Sequence, residues 1–487
     1  MVDKQGITIL GLGPGNPKHL TLDVKEWLES ISEIYIRTSH HPTVAAFPEG
    51  LKVISFDDIY DHEDTFESVY EKIVEKIIEL GQRPQGVTYA VPGHPLVAEA
   101  TTPEIVRRAN MAGIAVEVKE GLSFLEPTFT ALNIDPYPNL VLMDALDLGR
   151  LHHPPYSPSS AVLICQIYSR PVASDVKLTL MSLYPDEHPV RLVHAAGTSQ
   201  QIIEDLKLYE MDRSEHIGLM TAMYIPALAK ETSFETFQEI VAHLRAPDGC
   251  PWDREQTHLS LRSSLLEETY ETLAAIEAGD PEAMTEEFGD LLLQIVLNAQ
   301  IASEDGEFQM SQVLEGISSK LVRRHPHVFG DVSVDGVKNV LSNWENIKAT
   351  ERKNKKENQD KGLLDGVPGS LPSLSQAQAY QERAGRVGFD WHSIDGVFEK
   401  LAEEMAEVKA AKNDQERAME MGDLFFSVVN LARWFKVDAE SSLREANLKF
   451  LRRFKYIEQK ARDTGQQLGQ MTLEDMDVWW NEAKQKE

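Results

Sequence analysis

Cysteine is scarce in this chain, because its 487 residues include only Cys165 and Cys250, which lie far apart in the sequence. Two distant thiols exclude a disulfide framework and a cysteine zinc site, and they suit a reducing compartment. The first residues lack the pattern of a signal peptide, and no apolar run is long enough to span a membrane. We therefore expect a cytoplasmic protein without a membrane partner.

Basic charge is also in deficit, since 48 Lys and Arg residues stand against 78 Asp and Glu residues and leave a net charge of −30. Binding to a nucleic-acid polymer needs a basic surface, so no such partner is expected. Free nucleotides remain candidates, because a divalent metal can join phosphate to carboxylate. The length of the chain predicts two or three domains.

Short β-branched runs alternate with amphipathic helical stretches up to about residue 225. This alternation predicts an α/β fold with largely parallel sheets. Strands are expected at residues 7–10, 34–36, 53–56, 87–91, 115–118, 140–143, 161–167, 190–195 and 217–224. A Pro-rich run at 152–159 predicts a linker between two lobes.

Helical periodicity replaces the strands from about residue 233 onward. It is interrupted between residues 351 and 375 by the charged run ERKNKKENQDKG, which predicts a mobile loop, and then by GVPGSLPS. We therefore expect three parts: a two-lobed α/β domain over 1–228, a first all-α module over 234–355 and a second over 356–487.

The helical half contains an internal repeat with a period of roughly 130–136 residues. Five patterns recur in the same order, which chance hardly explains. The pairs are Asp253 and Asp390, Glu267-Glu268-x-x-Glu271 and Glu403-Glu404-x-x-Glu407, Glu287-x-x-Asp290 and Glu420-x-x-Asp423, Lys320-x-x-Arg323-Arg324 and Lys449-x-x-Arg452-Arg453, and Trp344-x-x-x-Lys348 and Trp480-x-x-x-Lys484.

The spacing of the acidic residues gathers them on helix faces. Glu268 and Glu271 share one face of a helix, and Glu287 and Asp290 share one face of the next. Between them the turn signal at 279–281 predicts an antiparallel helical hairpin, with the apolar residues 291–293 and 424–426 in the bundle core. Converging carboxylates repel one another, and a hard cation such as Mg²⁺ relieves the repulsion through oxygen ligands.

The alternative interpretation of a single EExxE pattern is a solvated helix face with ion pairs. Few basic residues occupy the matching positions, since Ala275 follows Glu271 by four residues and Ala411 follows Glu407 by four. The pattern also occurs twice at matched offsets. We therefore favour metal binding.

Basic and aromatic pairs accompany the carboxylates. Two Lys/Arg pairs spaced by four residues each present two cations on one helix face, which suits polyphosphate. Two Trp/Lys pairs combine an indole for base stacking with an ammonium for phosphate, although an amphipathic helix that buries its Trp is the alternative. The pairs are Lys320/Arg324, Lys449/Arg453, Trp344/Lys348 and Trp480/Lys484. His325 and His327 are interpreted as structural or phosphate-contacting.

Over nearly all of residues 234–487, the sequence resembles the MazG-type nucleotide pyrophosphohydrolases. The stretches that carry the resemblance are CPWDREQTH, LLEETYE, EEFGDLLLQ, KLVRRHPHVFG, WENIKATER, VGFDW, LAEEMAE, EMGDLFFSVVNLAR and ANLKFLRRF. The resemblance implies an all-α protein, dimeric or larger, that uses Mg²⁺. It also implies hydrolysis of nucleoside triphosphates, NTP or dNTP, to the monophosphate and pyrophosphate.

The same resemblance implies roles for the repeated residues, with the second copy as the catalytic one, although the carboxylates are intact in both. The implied metal ligands are Glu404, Glu407, Glu420 and Asp423, with Glu268, Glu271, Glu287 and Asp290 as the equivalent set. The implied nucleotide-binding residues are Lys449, Arg453, Trp480 and Lys484, with Lys320, Arg324, Trp344 and Lys348 as the equivalent set. We expect Glu403 or Glu404 to position or deprotonate the water that attacks the α-phosphorus.

Three loops follow predicted strands in the α/β half, namely GLGPGNP at 11–17, VPGHPL at 91–96 and EGLSF at 120–124. Asn16 as N-cap and Pro17 as first helical residue predict a helix after the first loop. Gly11, Gly13 and Gly15 would let a ligand approach the backbone, although their spacing is not that of the dinucleotide GxGxxG. Loops at the carboxyl ends of strands form a crevice in which α/β sheets bind ligands.

Over about residues 5–226, these loops resemble those of the tetrapyrrole (corrin/porphyrin) methylases. The resemblance implies two α/β lobes, usually in a dimer, with S-adenosylmethionine in the cleft between them. It places the cofactor against Gly93, His94, Pro95, Val97, Ser123 and Phe124. His94 stands where the family commonly has the Asp of GDP.

A methylase-like half followed by MazG modules is the order found in YabN-type fusion proteins. Three functions follow from this organisation. The chain is a hydrolase with an inactive or regulatory methylase-like domain, or a bifunctional enzyme that also methylates a tetrapyrrole or another small molecule, or a regulatory protein that binds nucleotide and S-adenosylmethionine.

Overall fold

The computed structural model describes residues 6–63, 65–337, 339–340, 343–344, 347, 351 and 362–486. It contains two compact units, Met1–Val313 and Leu314–Glu487, which are described separately below. The boundaries predicted near residues 228 and 355 stay predictions.

The first unit opens with a sheet of five parallel strands in the order β3-β2-β4-β1-β5. The strands are β1 (Ile7–Gly11), β2 (Glu33–Ile36), β3 (Lys52–Ser55), β4 (Val87–Val91) and β5 (Val116–Lys119). Those in the centre are almost wholly apolar, because helices cover both faces of a parallel sheet. Each matches a predicted strand to within a residue or so.

Helices α1 (Leu22–Ser30), α2 (Asp57–His62), α3 (Phe66–Gly81) and α4 (Thr101–Ala112) connect these strands. Helix α3 begins where the Thr65 side chain accepts a hydrogen bond from the Ser68 backbone amide. Its residues Val69, Ile73 and Ile77 are spaced by four, so they form one buried stripe against the sheet. The predicted start after the first loop is confirmed, since Asn16 caps a short 3₁₀ helix that begins at Pro17.

A second five-stranded sheet follows α5 (Leu125–Leu132), with the order β6-β7-β10-β8-β9. Its strands are β6 (Leu140–Asp144), β7 (Ala161–Cys165), β8 (Pro189–His194), β9 (Ile202–Lys207) and β10 (Thr221–Ile225), with helices α6 (Ala145–Gly149) and α7 (Arg170–Leu180). Only the β6–β7 pair is parallel, and the other three pairs are antiparallel.

The expectation of largely parallel sheets is therefore correct for the first sheet and wrong for the second. Strands β8 and β9 are separated by only seven residues, and a connection this short joins antiparallel neighbours. Strand β9 escaped prediction because its sequence, IIEDLK, is half-exposed at the sheet edge and lacks a long apolar run.

The Pro-rich run at 152–159 does not link the two lobes, contrary to the prediction. It lies between α6 and β7, and β7 pairs with β6 in the second sheet. Proline and serine mark a loop here, but composition alone does not say which elements the loop joins.

The carboxyl ends of β1, β4 and β5 bring three backbones into direct contact. A Cβ atom placed on Gly121 would lie 2.6 Å from the carbonyl oxygens of both Gly11 and Gly93. A Cβ on Gly11 would lie 2.6 Å from the Gly121 nitrogen. Glycine is required at both positions because of this close approach and not because of unusual dihedral angles.

The first unit ends with helices α8 (Phe234–Arg245), α9 (Pro251–Glu255), α10 (Arg262–Ala278) and α11 (Pro281–Glu304). Gly279 ends α10 with φ +63°, and the Asp280 side chain caps α11, so the predicted hairpin at 279–281 is confirmed. Helix α12 (Met310–Arg324) follows and crosses the boundary between the two units.

The second unit continues with α13 (Pro326–Phe329), α14 (Ser373–Arg386), α15 (Ile394–Ala410), α16 (Asp414–Trp434), α17 (Ala439–Thr464) and α18 (Leu473–Lys486). Helices α15 and α16 pack as a hairpin, and the Asn413 side chain caps α16. Helix α14 packs on α16 and α17, and α17 packs on α18. Most of the charged run predicted as a loop, at 352–361, lies outside the described residues.

The apolar residues expected in the bundle core are only partly there. Leu293 packs on the helical core cluster around Val296 in the first unit, but Leu292, Phe425 and Phe426 are exposed by 38%, 55% and 46%. The prediction is wrong for these three, because a period of 3.6 residues cannot turn three consecutive side chains toward one core.

None of the helices in the described ranges combines the length and the apolar character needed to cross a membrane.

We expect Gly121→Ala to destabilise the α/β half by about 1–3 kcal/mol, because the added methyl group meets backbone atoms that cannot rotate away. Gly218→Ala is the matched control, since the nearest atom to a Cβ there is 3.9 Å away. Urea denaturation of the full chain measures both. Equal midpoints for the two variants would contradict the close approach.

Candidate functional site

Three carboxylates of the first copy converge between α10 and α11. Glu268 comes from α10, and Glu287 and Asp290 come from α11. One carboxylate oxygen from each lies within 4.8 Å of the other two. The hairpin turn sets this arrangement, because it brings the acidic face of one helix against that of the next.

The first cluster is electrostatically unfavourable as it stands. Burial, followed by the charges of Asp290 and Glu271, raises the pKa of Glu268. Burial and the neighbouring Glu271 likewise raise the pKa of Glu287. Ionisation of Glu268 and of Glu287 therefore costs free energy, and a cation placed among the three carboxylates would offset that cost.

The second copy repeats this geometry between α15 and α16. Glu404 lies on α15, and Glu420 and Asp423 lie on α16, with one oxygen of each within 4.8 Å of the others. The Glu404 side chain is only 5% exposed, and its Oε2 atom is buried without a hydrogen-bond partner. A buried carboxylate oxygen is costly unless something binds it, and a hard cation such as Mg²⁺ fits this donor set.

Lys400 is a basic neighbour that sequence reasoning missed. Its Nζ atom lies 2.8 Å from Oε1 of Glu404 and 3.0 Å from Oε1 of Glu403. The expectation of few basic partners considered only the residues four positions after the glutamates. A search four positions before them, where a helical side chain is equally close, would have found it.

The fourth predicted ligand of each copy, Glu271 or Glu407, is exposed and stands outside the three-carboxylate group. Both are nevertheless close enough to act on the clusters. Partial desolvation by neighbouring atoms, then the charges of Glu404 and Glu420, raises the pKa of Glu407. Glu403 is exposed and accepts a hydrogen bond from Lys400.

The basic and aromatic residues of the second copy lie on the packed helices α17 and α18. The Arg453 guanidinium lies 5.3 Å from the centre of the Trp480 ring, within the range of a cation–π contact. Phe450 packs against Trp480 at a centroid distance of 5.3 Å. Lys449 and Lys484 are exposed.

In the first copy, Arg324 is held by an acidic partner. Its Nη2 atom lies 2.7 Å from Glu351, which Arg323 also contacts at 2.7 Å. The hydrogen bond from Arg324, then that from Arg323, lowers the pKa of Glu351 to about 2. Lys320 and Trp344 are half-buried, and Lys348 lies outside the described residues.

The two histidines of the first copy are in local contact. The His325 Nδ1 atom lies 2.7 Å from the Leu321 carbonyl oxygen near the end of α12, and the His325 and His327 rings are 5.8 Å apart. This supports the structural interpretation for His325.

In the α/β half, backbone hydrogen bonds tie the first two loops together. The Gly13 amide donates to the Gly93 carbonyl at 3.2 Å, and the Gly93 amide donates to the Gly13 carbonyl at 2.8 Å. Gly13, Gly15 and Gly93 have φ angles of +70°, +115° and +70°, which side chains rarely adopt. A Cβ on Gly93 would meet nothing within 4 Å, so this backbone borders open space.

The other residues predicted to touch a cofactor contribute differently. His94 turns toward its own loop, where Nδ1 accepts from the Leu96 amide at 3.0 Å, and Val97 donates to the His94 carbonyl at 3.1 Å. Pro95 is buried. Ser123 is 2% exposed, and its hydroxyl donates to Glu126 at 2.7 Å. Phe124 packs on the core of the second sheet.

Sequence reasoning also passed over His19 and His41, which lie beside Gly13. The Nδ1 atom of each is buried without a hydrogen-bond partner. Burial lowers the pKa of His41, whose ring also hydrogen-bonds the Gly13 backbone. Nearby, the Asn16 side chain donates to the Gly197 carbonyl of the second lobe at 3.0 Å. No local pattern marks the two histidines, since only the folded loops bring them to Gly13.

Two family models match the chain. The model of the Tetrapyrrole (Corrin/Porphyrin) Methylases matches residues 6–212, and that of the MazG nucleotide pyrophosphohydrolase domain matches residues 256–329. The second match includes both acidic motifs of the first copy. A two-sheet α/β domain followed by carboxylate-bearing helical hairpins thus combines two known classes of domain in one chain.

The protein YabN of Bacillus subtilis (strain 168) is 43% identical over 490 residues, an alignment that covers 99% of this chain and 99% of YabN. The chain therefore belongs to the YabN family, in which a tetrapyrrole methylase domain is joined to MazG helices.

Two further relatives match about half of the chain. The nucleoside triphosphate pyrophosphohydrolase/pyrophosphatase MazG of Thermotoga maritima is 45% identical over 251 residues, which are 52% of this chain and 95% of that protein. The nucleoside triphosphate pyrophosphohydrolase of Escherichia coli (strain K12) is 44% identical over 254 residues, which are 51% of this chain and 95% of that protein.

Proposed function

We propose that the chain is a Mg²⁺-dependent hydrolase that converts nucleoside triphosphates, NTP or dNTP, to monophosphates and pyrophosphate. The observation that carries this proposal is the buried, unpartnered Oε2 atom of Glu404 beside the oxygens of Glu420 and Asp423. A buried oxygen without a partner is costly, and Mg²⁺ held by carboxylates commonly binds substrate phosphates. The activities named for the relatives from T. maritima and E. coli support the same reaction.

In this proposal Glu404, Glu420 and Asp423 hold the metal, which would neutralise phosphate charge and lower the pKa of a bound water. Glu403 and Glu404 were assigned to the water by sequence, and Glu407 joins them here. Its raised pKa suits a group that accepts a proton as water attacks the α-phosphorus. The O–H bond of the water breaks, a P–O bond forms, and pyrophosphate leaves with its bonding electron pair.

The nucleotide itself is assigned to α17 and α18. Trp480 offers an aromatic face, and Arg453, Lys449 and Lys484 offer positive charge to the polyphosphate. Lys320, Arg324, Trp344 and Lys348 are assigned the same roles in the first copy. There the incoming phosphate would have to compete with Glu351 for Arg324.

We expect Glu404→Ala and Asp423→Ala each to lower pyrophosphate release at least a hundredfold, because each removes a metal ligand. Pyrophosphate release from a panel of NTPs and dNTPs with Mg²⁺ measures this, and EDTA should abolish it in the wild type. Glu399→Ala is the control, since Glu399 is exposed on the same helix. Full activity in both variants, with loss in Glu268→Ala and Asp290→Ala, would move catalysis to the first copy. NTP binding without hydrolysis would favour the regulatory function.

We also propose that the α/β cleft binds S-adenosylmethionine. Support comes from the tetrapyrrole methylase match and from the open space beside Gly93, where glycines at positive φ expose backbone groups. The three loops need to offer only backbone groups and a cleft of fitting shape, because the sulfonium of the cofactor supplies the methyl-transfer chemistry. Methyl transfer to a tetrapyrrole or to any other small molecule would make the protein bifunctional. Without an acceptor the protein is purely a hydrolase.

Gly93→Val should weaken S-adenosylmethionine binding at least tenfold, because a branched side chain would enter the open space and strain a φ of +70°. Isothermal titration calorimetry of the full chain measures this. Gly218→Val is the control, since Gly218 does not have a positive φ. No heat from the wild type at high micromolar cofactor would contradict the proposed cleft.

We propose that the chain forms a homodimer through its helical half. Leu292 and Ile295 on α11 are 38% and 44% exposed, and Phe425 and Val428 at the matching positions of α16 are 55% and 48% exposed. Large apolar side chains exposed together at helical spacing are typical of an interface. A second copy of this chain would present the same faces to them.

Ile295→Glu combined with Val428→Glu should convert the dimer to a monomer, because both charges would be buried in the interface. Light scattering coupled to size-exclusion chromatography measures the mass. Gln415→Glu, on the exposed first turn of α16, serves as control. A wild type that runs as a monomer at tens of micromolar would contradict this proposal.

A further inference from the structure

The two copies differ at a residue one turn before their buried or half-buried glutamate. Lys400 precedes Glu404 by four residues in the second copy, and Ser264 precedes Glu268 by four in the first. The surrounding EExxE patterns are otherwise equivalent. A charged residue and a neutral one therefore occupy the same position beside two similar carboxylate clusters.

In the second copy, Lys400 forms an ion pair with one of the carboxylate oxygens that a metal would use. Its Nζ atom lies 2.8 Å from Oε1 of Glu404, and the other oxygen of this side chain is buried without a hydrogen-bond partner. The same ammonium also donates a hydrogen bond to Oε1 of Glu403 at 3.0 Å, and a lysine is ordinarily charged at neutral pH. One positive charge is thus already present at the second cluster.

In the first copy, the corresponding charge is absent. Among the residues that the structure describes, no ion pair is formed by Glu268, Glu287 or Asp290. The charges acting on Glu268 come from Asp290, Glu271, Glu287 and Glu267, all of the same sign. Within the described part of the chain, no basic side chain pairs with the first cluster.

We propose that Lys400 is a built-in counter-ion that makes the two copies unequal toward divalent cations. In the nucleotide-free protein the first copy binds a cation tightly, whereas the second copy binds it weakly because the cation must displace the ammonium from Glu404. The metal of the second copy then arrives together with the nucleotide. This inference rests on the proposed function, in which the second cluster holds the metal, and it extends metal binding to Glu268, Glu287 and Asp290 of the first.

The ammonium and a divalent cation compete by simple electrostatics. The ammonium lies 2.8 Å from Oε1 of Glu404, and its unit charge repels a cation that approaches the same carboxylate even at high effective dielectric. Replacing Lys400 by the serine of the first copy removes that competitor. Placing a lysine at position 264 introduces it in the first copy.

The test measures Mn²⁺ binding to the full chain without nucleotide, by electron paramagnetic resonance of the free ion and by calorimetry. Mn²⁺ serves as the probe because it shares the oxygen preference of Mg²⁺. Asp290→Asn and Asp423→Asn assign each binding site to a copy. We expect one tight site in the wild type, lost in Asp290→Asn and kept in Asp423→Asn.

Lys400→Ser should tighten the second-copy site at least tenfold, and Ser264→Lys should weaken the first-copy site at least tenfold. Lys409→Ser is the control, since Lys409 is exposed on the same helix as Lys400. Circular dichroism checks the fold of each variant, and Ser264→Lys gives an independent answer if Lys400→Ser does not fold.

Two equal sites in the wild type, unchanged by either substitution, would overturn the inference, and Mg²⁺-dependent hydrolysis would then still support the proposed function. A different result would separate the two proposals. If the sites were unequal and the substitutions reversed their Mn²⁺ affinities, but the protein hydrolysed no NTP, the inference would stand and the proposed function would be wrong. Absence of Mn²⁺ binding at both copies would overturn the inference and the metal assignment together.

Discussion

Repulsion between carboxylates is the interaction around which the helical half is arranged. Each hairpin brings three acidic side chains within 4.8 Å of one another, which no folded chain does without cost. The hairpin turns and the helix caps at Asp280 and Asn413 hold the helices in this register. The clusters lower the stability of the folded chain. The helix caps and the packing of the hairpins offset that cost.

The α/β half depends on a different constraint, the close approach of main chains. Glycines at the ends of β1, β4 and β5 let three loops meet with no side chain between them. Parallel pairing of neighbouring strands puts these loops at one edge, and the glycines then decide how near they come. The α/β half offers a ligand open space beside the backbone, whereas the helical half offers negative charge.

Much of this could be predicted from sequence, because periodicity and spacing are local. The hairpin at 279–281, the segments that form the five strands of the first sheet and the cap at Asn16 all depend on residues within a few positions of each other. Long-range pairing was less accessible. Strand β9 and the antiparallel second sheet depend on partners that no short window contains, and the Pro-rich run was assigned to the wrong connection for the same reason.

The acidic clusters show the same division. Helical spacing predicted that Glu287 and Asp290 share a face with each other, but not that Glu271 and Glu407 would stand outside the groups. The latter depends on how the two helices are rotated about their axes, which packing decides. The contact of Lys400 with Glu404 follows the same spacing rule, because residues four apart on a helix are neighbours in both directions. The unpartnered nitrogens of His19 and His41 depend on tertiary contacts and have no sequence signature.

The contact of three main chains at Gly11, Gly93 and Gly121 has a mechanical consequence. Loops packed backbone against backbone leave no room for one of them to move toward another. A ligand bound in the cleft as proposed would then be accommodated by the opposite wall, where Gly197 of the second lobe accepts a hydrogen bond from Asn16. Discrimination among ligands of different size would then be a property of the second lobe, while the first supplies a surface of fixed shape.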